Sequence, residues 1–279
     1  MQSLLNRNKL LLSKIDQIGM LLELVELIKT IAIDAGEEIL KIYADEDSFG
    51  VELKSDDSPL TKADKAANKV IVEGLQKLEV AYPIISEEEK QVAYEMRKDY
   101  SRFWLVDPLD GTKEFIKRNG EFTVNIALVE DGIPIMGVVL VPVSGEMYWA
   151  TKNNGAFYQS GDVSKQLEAP SFSMKDKGLR VVCSRSHINE ETKSFIDQLD
   201  SPETVSKGSS LKFLLMAANE AEIYPRMGPT MEWDTGAAQI VLEEAGGAVL
   251  HHETGKPLIY NKENLLNPYF IARATLVDE

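Results

Sequence analysis

The stretch WLVDPLDGTKEF, residues 104–115, decides the fold and raises the first question about function. The apolar run up to Val106 predicts a buried strand, and it ends in two acids, Asp107 and Asp110. Asp-Pro-x-Asp-Gly is favourable turn chemistry, because Asp suits the first turn position and Pro presets φ at the second. The two carboxylates and the carbonyl of Leu109 could also hold a hard cation such as Mg²⁺, which prefers oxygen ligands. The stretch therefore predicts a tight turn, and the rest of the chain must decide whether that turn binds a metal.

The segments around this stretch predict an N-terminal half of mixed α+β character. Apolar residues at helical spacing predict a helix over residues 20–44, and Thr61 begins a second helix. Apolar runs and Gly-containing turns downstream predict two β-hairpins, one turning at Asp131–Gly132 and one at Asn153–Gly155. The polar segment from Ser160 to Gly178 is the best candidate for a linker.

Strand and helix patterns alternate after this segment, from Leu179 to His251. Such alternation predicts an α/β arrangement in layers, with functional sites at the ends of strands. The fold class predicted is therefore α/β, with an α+β N-terminal half and an α/β C-terminal half. The corresponding division has a helical extension at 1–19, a metal-binding subdomain at 20–160 and a substrate-binding subdomain at 161–279.

Composition and charge restrict the function. The chain has 279 residues, 44% of them hydrophobic, and a net charge of −15, which argues against a nucleic-acid polymer as partner. An anionic substrate would need local cations, and bound metal could supply them. Cys183 is the only cysteine, so an intrachain disulfide is excluded and a reducing cytoplasm is favoured. Polar residues interrupt residues 1–19, which predict an amphipathic helix compatible with peripheral contact with the inner membrane rather than a membrane span.

Three further acids have a structural and a functional interpretation each. Glu87 follows a predicted strand and could be an acid at a helix N-terminus or a metal ligand. Asp234 could be a helix N-cap or could bring a ligand from the C-terminal half. Asp64 lies three residues after Thr61, which is a capping-box spacing, and it could instead orient the hydroxyl of Thr112.

Anion-binding groups are also predicted in the C-terminal half. Residues 208–212 (GSSLK) begin a helix, where backbone N–H groups, hydroxyls and a lysine bind anions readily. Arg226 ends a predicted strand, and a guanidinium suits phosphate. His187 could line the same pocket, or it could form a thiol hydrolase pair with Cys183, although nothing in the sequence marks that thiol as activated.

The acids share one property: each lies at the predicted end of an element, beside cationic or hydroxyl groups. Clustered carboxylates are costly unless cations neutralise them. Metal-assisted phosphate chemistry accounts for all of them together.

The motifs in this order resemble one known family. DPLDGT after a strand, SEE upstream and EWDTGAA downstream resemble the inositol monophosphatase superfamily, with its D-P-[IL]-D-G-T and W-D-x-A signatures. LTKAD, SRSH, GSSLKF and YPRMGPTMEWDT resemble its CysQ-type 3'(2'),5'-bisphosphate nucleotidase branch. Lys113 and Glu114 stand where the inositol-phosphatase branch typically has Thr-Asn. The resemblance extends from about Met20 to the C-terminus.

The resemblance implies a layered αβαβα sugar-phosphatase-like sandwich. It also implies hydrolysis of the 3'-phosphate of 3'-phosphoadenosine 5'-phosphate to AMP and phosphate, with two or three Mg²⁺ ions and inhibition by lithium. Residues that match the family's metal ligands are Glu87, Asp107, Leu109 through its carbonyl, Asp110 and Asp234. Asp64 and Thr112 match the catalytic pair that activates a metal-bound water for attack on phosphorus. Residues that match substrate contacts are Gly111, Thr112, His187, Ser209, Lys212 and Arg226.

Other functions stay open at this point. The same metal chemistry could act on an inositol phosphate, a sugar bisphosphate or 3'-phosphoadenylyl sulfate. A non-catalytic metal- or phosphate-binding regulator is an alternative of another class, although no ligand or member of the water-activating pair is missing. A monomer and a homodimer are both compatible with the sequence.

Overall fold

The computed structural model describes residues 2–45, 49–53, 59–183 and 188–277, with side chains from residue 19 onward. The helices are α1 (Gln2–Tyr43), α2 (Lys62–Gln76), α3 (Tyr94–Arg97), α4 (Thr112–Ile116), α5 (Glu190–Ile196), α6 (Leu211–Ala217) and α7 (Gly236–Glu244). The first eight strands are β1 (Glu52–Leu53), β2 (Pro59–Leu60), β3 (Ile84–Ser86), β4 (Arg102–Asp110), β5 (Thr123–Glu130), β6 (Ile133–Val141), β7 (Glu146–Thr151) and β8 (Ala156–Ser160). The remaining strands are β9 (Val163–Leu167), β10 (Ser171–Phe172), β11 (Arg180–Cys183), β12 (Glu203–Ser206), β13 (Ile223–Arg226), β14 (Ala248–His251), β15 (Phe270–Arg273) and β16 (Thr275–Leu276).

Two main sheets organise the chain. Strands β3 to β9 form a seven-stranded sheet in sequential order, antiparallel except for the parallel pair β3–β4. A five-stranded sheet has the order β12-β11-β13-β15-β14, with β11 parallel to both β12 and β13. The described residues also form two small two-stranded sheets, β1–β2 and β10–β16.

The helices cover both sheets in layers. Helices α1 and α2 pack on one face of the seven-stranded sheet, and α7 packs on its other face together with α6. Phe213 of α6 stacks on Phe270 and meets Tyr224 edge to face on one face of the five-stranded sheet. Phe195 of α5 lies near Ile223 on the opposite face. The layers therefore follow the order αβαβα, as the resemblance implied.

The strands of the large sheet are buried on both faces, so they are nearly continuous apolar runs rather than alternating patterns. In β4, Trp104 and Val106 face the core under α1 and α2, while Phe103 and Leu105 face the core under α7. Gly137 lets α7 approach β6 closely, since a Cβ there would lie 2.4 Å from the carbonyl oxygen of Ala237. Because helices pack on both faces of the sheet, the edge at which β3 and β4 end is held in a rigid position.

The turn predicted at DPLD is wrong. Strand β4 continues to Asp110, and its pairing with β5 shifts between Asp107 and Asp110, which marks a bulge. Pro108 is tolerated there because an unpaired bulge residue needs no N–H for the sheet. The chain leaves the strand at Gly111, whose left-handed φ of 97° favours glycine, and it returns as the antiparallel strand β5 after α4.

Most other elements agree with the sequence, with three differences. The segment from Ser160 to Gly178, predicted as a linker, contains β9 and β10. The predicted helical extension at residues 1–19 and the helix predicted at residues 20–44 form the single helix α1. Helix α3 and strands β2, β15 and β16 were not predicted. No helix in the described ranges combines the length and apolarity needed to cross a bilayer.

Candidate active site

The acidic residues meet at one edge of the seven-stranded sheet. Asp107 and Asp110 end β4, and Glu87 follows the parallel neighbour β3, with its backbone N–H donating to the carbonyl of Val106 at 3.1 Å. Since parallel strands end at the same edge, Glu87 is brought to the aspartates by topology. Asp234 reaches the same place from the start of α7. The structure thus brings together four of the acids predicted from the sequence.

Burial and neighbouring carboxylates raise the pKa values of the three aspartates. Burial, followed by the charges of Glu87, Asp110 and Asp234, raises the pKa of Asp107 well above its usual range. Burial and the Asp110 charge raise the pKa of Asp234 in the same way. Burial raises the pKa of Asp110 to about 6, although Lys212 and the backbone N–H of Ser210 lower it. Negative charge at this edge is therefore costly without a cation nearby.

The donor set fits a hard divalent cation in chemistry and charge. Carboxylates and backbone carbonyls are the oxygen ligands that Mg²⁺ prefers. Within the described part of the chain, no three acidic, histidine or cysteine side chains converge closely enough to coordinate one ion. The oxygens interact electrostatically and would have to move closer together to bind a single cation.

Asp234 is not the N-cap of α7. Thr235 occupies that position, and Asp234 Oδ2 accepts the backbone N–H of Met231 at 2.9 Å. This hydrogen bond holds the carboxylate at the wall of the cavity. The N-cap interpretation is therefore wrong for this residue.

Leu109 lies between the two aspartates with a buried side chain. Its N–H donates to Asp107 Oδ1 at 3.1 Å, which orients that carboxylate. Its carbonyl lies 3.5 Å from the Thr112 hydroxyl oxygen. The bulge therefore places the Leu109 carbonyl on the side of the strand where Thr112 begins α4.

Asp64 has both of the roles that the sequence left open. Its Oδ2 accepts the backbone N–H and the hydroxyl of Thr61 at 2.8 and 2.6 Å, which completes the predicted capping box of α2. Its Oδ1 accepts the hydroxyl of Thr112 at 3.2 Å. Only 1% of Asp64 is exposed, so Thr61 and Thr112 define its orientation in a site shielded from bulk water. Thr112 is the first helical residue of α4, and Gly111 is the N-cap.

A cavity of about 660 Å³ opens beside this edge. Asp110 and Asp234 lie in its wall, which makes the acidic edge one end of the cavity. Basic side chains from both halves of the chain also line it, namely Lys113, Lys117, Lys207, Lys212 and Arg226. The cavity therefore offers positive charge to an anion on a chain of net charge −15.

Four predicted substrate contacts, Gly111, Ser209, Lys212 and Arg226, line this cavity. Ser209 has a left-handed φ of 45°, and within the described residues its Oγ is buried without a hydrogen-bond partner. Arg226 Nε is likewise buried and unpartnered among these residues, while its Nη2 donates to the Pro229 carbonyl at 2.7 Å. Buried unpaired donors are costly, so both groups are suited to a polar ligand in the cavity.

The thiol-hydrolase alternative gains no support from Cys183. This residue is 4% exposed at the end of β11, and burial raises the pKa of its thiol. A raised thiol pKa disfavours the nucleophilic thiolate. His187, predicted as a substrate contact, lies outside the described residues.

Sequence reasoning missed several residues of the cavity wall. Lys113 and Lys117 lie on or just after α4, Lys207 precedes Gly208, and Glu121 precedes β5. Lys113 stood out only as a difference between family branches. Single charged residues in loops carry no periodicity, so only the tertiary fold could reveal that they meet.

Comparisons with known proteins show the family and the fold of the chain. The model of the inositol monophosphatase family matches residues 20–275. The 3'(2'),5'-bisphosphate nucleotidase CysQ of Salmonella typhimurium is 46% identical over 248 residues, which cover 88% of this chain and 98% of that protein. The Escherichia coli K12 protein of the same name is 47% identical over 241 residues, 86% of this chain and 95% of its own. The crystal structure of CysQ from Bacteroides thetaiotaomicron, a bacterial member of the inositol monophosphatase family, superposes with a TM-score of 0.78 at 42% identity, covering 90% of this chain and 97% of that one.

Proposed function

The chain belongs to the inositol monophosphatase family, and from this premise we propose that it is a Mg²⁺-dependent 3'(2'),5'-bisphosphate nucleotidase. Its reaction would remove the 3'-phosphate of 3'-phosphoadenosine 5'-phosphate and release AMP and phosphate. Relatives that carry this name are 46–47% identical to the chain over most of its length.

One observation carries the proposal: Asp110 and Asp234 of the carboxylate edge lie in the wall of a cavity lined by five basic side chains. Thr112, which is hydrogen-bonded to Asp64, directly follows Gly111 of that wall. A mononucleotide bisphosphate has two phosphates separated by a ribose, and it needs positive charge at two places. The basic groups come from α4 and its following loop, from the start of α6 and from the end of β13. This distribution suits a ligand with two separate anionic groups.

We propose that Glu87, Asp107, the Leu109 carbonyl, Asp110 and Asp234 hold Mg²⁺. The raised pKa values of Asp107 and Asp234 support the assignment, because a divalent cation would remove the cost of their charges. Bound Mg²⁺ would supply positive charge for the phosphate and make a nucleophilic water more acidic. Two or three ions, as the family resemblance implies, are part of the proposal.

Thr112 and Asp64 would prepare the attacking water. A threonine hydroxyl has one proton and two lone pairs. Since Thr112 donates its proton to Asp64 Oδ1, a lone pair of its oxygen remains to accept a proton from water. Asp64 cannot rotate freely, because the two donors of Thr61 hold its other oxygen. The pair would therefore orient the water and take its proton as it attacks phosphorus.

Substrate contacts would come from the opposite wall. Lys212 and Arg226 would bind phosphate oxygens, since charge-assisted hydrogen bonds from cations to phosphate are strong. The unpartnered Ser209 Oγ would contribute a further hydrogen bond. Gly111 and His187 complete the proposed set.

The cellular location, the division into subdomains and the oligomeric state are also part of the proposal. A cytoplasmic location fits a single cysteine that is free and buried. The division into subdomains near residue 160, membrane contact by residues 1–19 and the oligomeric state stay predictions.

Phosphate release tests the proposal directly. The purified chain would be assayed with Mg²⁺ on 3'-phosphoadenosine 5'-phosphate, inositol 1-phosphate and fructose 1,6-bisphosphate. We expect the nucleotide to be strongly preferred as substrate, and we expect a chelator to abolish phosphate release. Preference for the inositol or sugar phosphate would retain the metal chemistry and overturn the substrate. Hydrolysis of none of the three would favour a binding protein.

A further inference from the structure

One carboxylate outside the proposed metal ligands holds the cavity wall that carries Ser209 and Lys212. Glu121 lies just before β5, and its side chain is 15% exposed. Its Oε2 accepts the backbone N–H of Gly208 at 2.9 Å, and its Oε1 lies 3.7 Å from Lys207 Nζ. The segment before α6 is thus attached to the end of the loop that leads into the large sheet.

The two segments are also in tight backbone contact. A Cβ on Gly208 would lie 2.7 Å from the carbonyl oxygen of Glu121 and 2.8 Å from Glu114 Cγ. Such distances leave no room for a side chain. The hydrogen bond and the close approach together define where residues 207–212 lie.

This segment lies beside the proposed metal site, and it carries two of the proposed phosphate contacts. Ser210 Oγ donates to Asn125 Oδ1 at 2.8 Å, and Lys212 Nζ donates to the Ser209 carbonyl at 2.8 Å. Ser209, Ser210 and Lys212 line the same cavity as Asp110. A shift of the segment would therefore displace Lys212 and Ser209 relative to Asp110.

Glu121 brings negative charge to a wall that must receive an anion. That charge disfavours a phosphate ligand, and Lys207 offsets it in part. The hydrogen bond from the Gly208 N–H gives an acid in this place a structural role, because it holds the segment that follows.

We propose that Glu121 is a positioning residue, which fixes residues 207–212 so that Ser209 and Lys212 meet the substrate phosphates. The inference rests on the proposed nucleotidase function. Glu121 contacts neither substrate nor metal in this account, and it acts through Gly208.

Kinetics of two variants test the inference. Glu121→Ala removes the acceptor of the Gly208 N–H, and we expect KM for 3'-phosphoadenosine 5'-phosphate to rise about ten-fold, with a smaller change in kcat, as for the loss of one charge-assisted hydrogen bond. Glu121→Gln keeps an oxygen acceptor and should stay within about three-fold of wild type. Gly208→Ala perturbs the same contact from the other side and should also raise KM.

Glu130→Ala is the matched control. Glu130 ends the same strand, β5, and forms a half-buried ion pair with Arg102 at the far end from the site. It should lose thermal stability without a change in KM. Wild-type KM in Glu121→Ala, a Gln variant as impaired as the Ala variant, or an equal rise of KM in the control would overturn the inference.

The controls separate this inference from the function on which it rests. If the wild-type chain prefers another phosphate ester, the proposed function fails. The KM values of wild type and the Glu121 variants for that ester would then still test whether Glu121 is a positioning residue. A wild-type chain without phosphatase activity would overturn both.

Discussion

Asp64 and Thr112 are joined by a hydrogen bond of 3.2 Å between Oδ1 and the hydroxyl, while Oδ2 of the same carboxylate caps helix α2. The capping box is therefore no alternative to the functional role. It fixes the carboxylate through Thr61 and leaves one oxygen directed at Thr112. A local sequence signal for a helix start thus also prepares the proposed catalytic pair.

Substitutions at Thr112 should distinguish the contribution of its hydroxyl to catalysis from that of its methyl group. Thr112→Ala removes the proton acceptor proposed for the water, and we expect kcat to fall by about 10²-fold, within the range for general acid–base groups. Thr112→Ser keeps the hydroxyl and should retain activity within about ten-fold. Steady-state phosphate release gives both values. Equal losses in the two variants would show that the hydroxyl is not the group that matters.

Asp110→Asn tests the metal assignment by activity. The substitution keeps the shape of the side chain and removes its charge, so we expect kcat to fall by ~10²-fold or more, as for removal of a key electrostatic group. Circular dichroism would establish that the variant is folded. Near-normal turnover by the folded variant would remove Asp110 from the proposed ligands.

Mg²⁺ should stabilise the wild-type chain, because it would relieve repulsion among the carboxylates. Asp107→Asn removes one of these buried charges, and its amide oxygen can still accept the Leu109 N–H. We expect this variant to have a higher Tm than wild type without metal and a smaller rise of Tm on addition of Mg²⁺. Thermal unfolding with and without chelator measures both effects.

Glu95→Gln provides the control for that experiment. Glu95 is 78% exposed and pairs only with Lys98 among the contacts described for it. Its substitution should leave the response to Mg²⁺ unchanged. An Asp107→Asn chain that responds to Mg²⁺ as wild type does would argue against Asp107 as a ligand.

Glu243 should make stability depend on pH independently of metal. Burial raises the pKa of Glu243 to about 7, with Gln239 lowering it and Glu244 raising it. The folded protein therefore keeps a proton that the unfolded chain has lost, and stability declines as pH rises from about 4.5 to 7. Glu243→Gln should remove this decline. The free energy of unfolding of the variant, relative to that of the wild type, should therefore be roughly 1–2 kcal/mol higher at pH 8 than at pH 5, after allowance for solvent screening.

Denaturant unfolding at the two pH values measures the Glu243 effect. The Gln variant retains an oxygen for the hydrogen bond that Gln239 donates at 3.0 Å, so the comparison isolates the charge. Parallel pH profiles for the variant and the wild type would contradict the raised pKa.

The sequence was sufficient for most elements but not for the geometry at their ends. Buried apolar runs, Gly-containing turns and the Thr61 cap are local signals, and they predicted strands, hairpins and helix α2 correctly. The DPLD bulge was mistaken for a turn because Asp, Pro and Gly suit both, and only pairing with β5 distinguishes them. Strand β9 was missed because it is an exposed edge strand with few apolar residues.

The candidate site was predictable where a motif existed. The acids of DPLDGT, SEE and EWDTGAA could be identified from their order, and the structure brings them to one edge. Glu121 and Lys207 could not, since their meeting depends on the docking of the segment before α6 against the loop before β5. Such contacts between distant loops leave no periodic or compositional signal.

The position of the bond that is cleaved tests the central claim most directly. The chain would be incubated with Mg²⁺ and 3'-phosphoadenosine 5'-phosphate, and the products would be identified by phosphorus NMR. The account predicts AMP, with its phosphate on the 5'-oxygen, together with inorganic phosphate, and no product in a chelator control. Adenosine 3'-phosphate as the product, or turnover that persists without divalent metal, would contradict it.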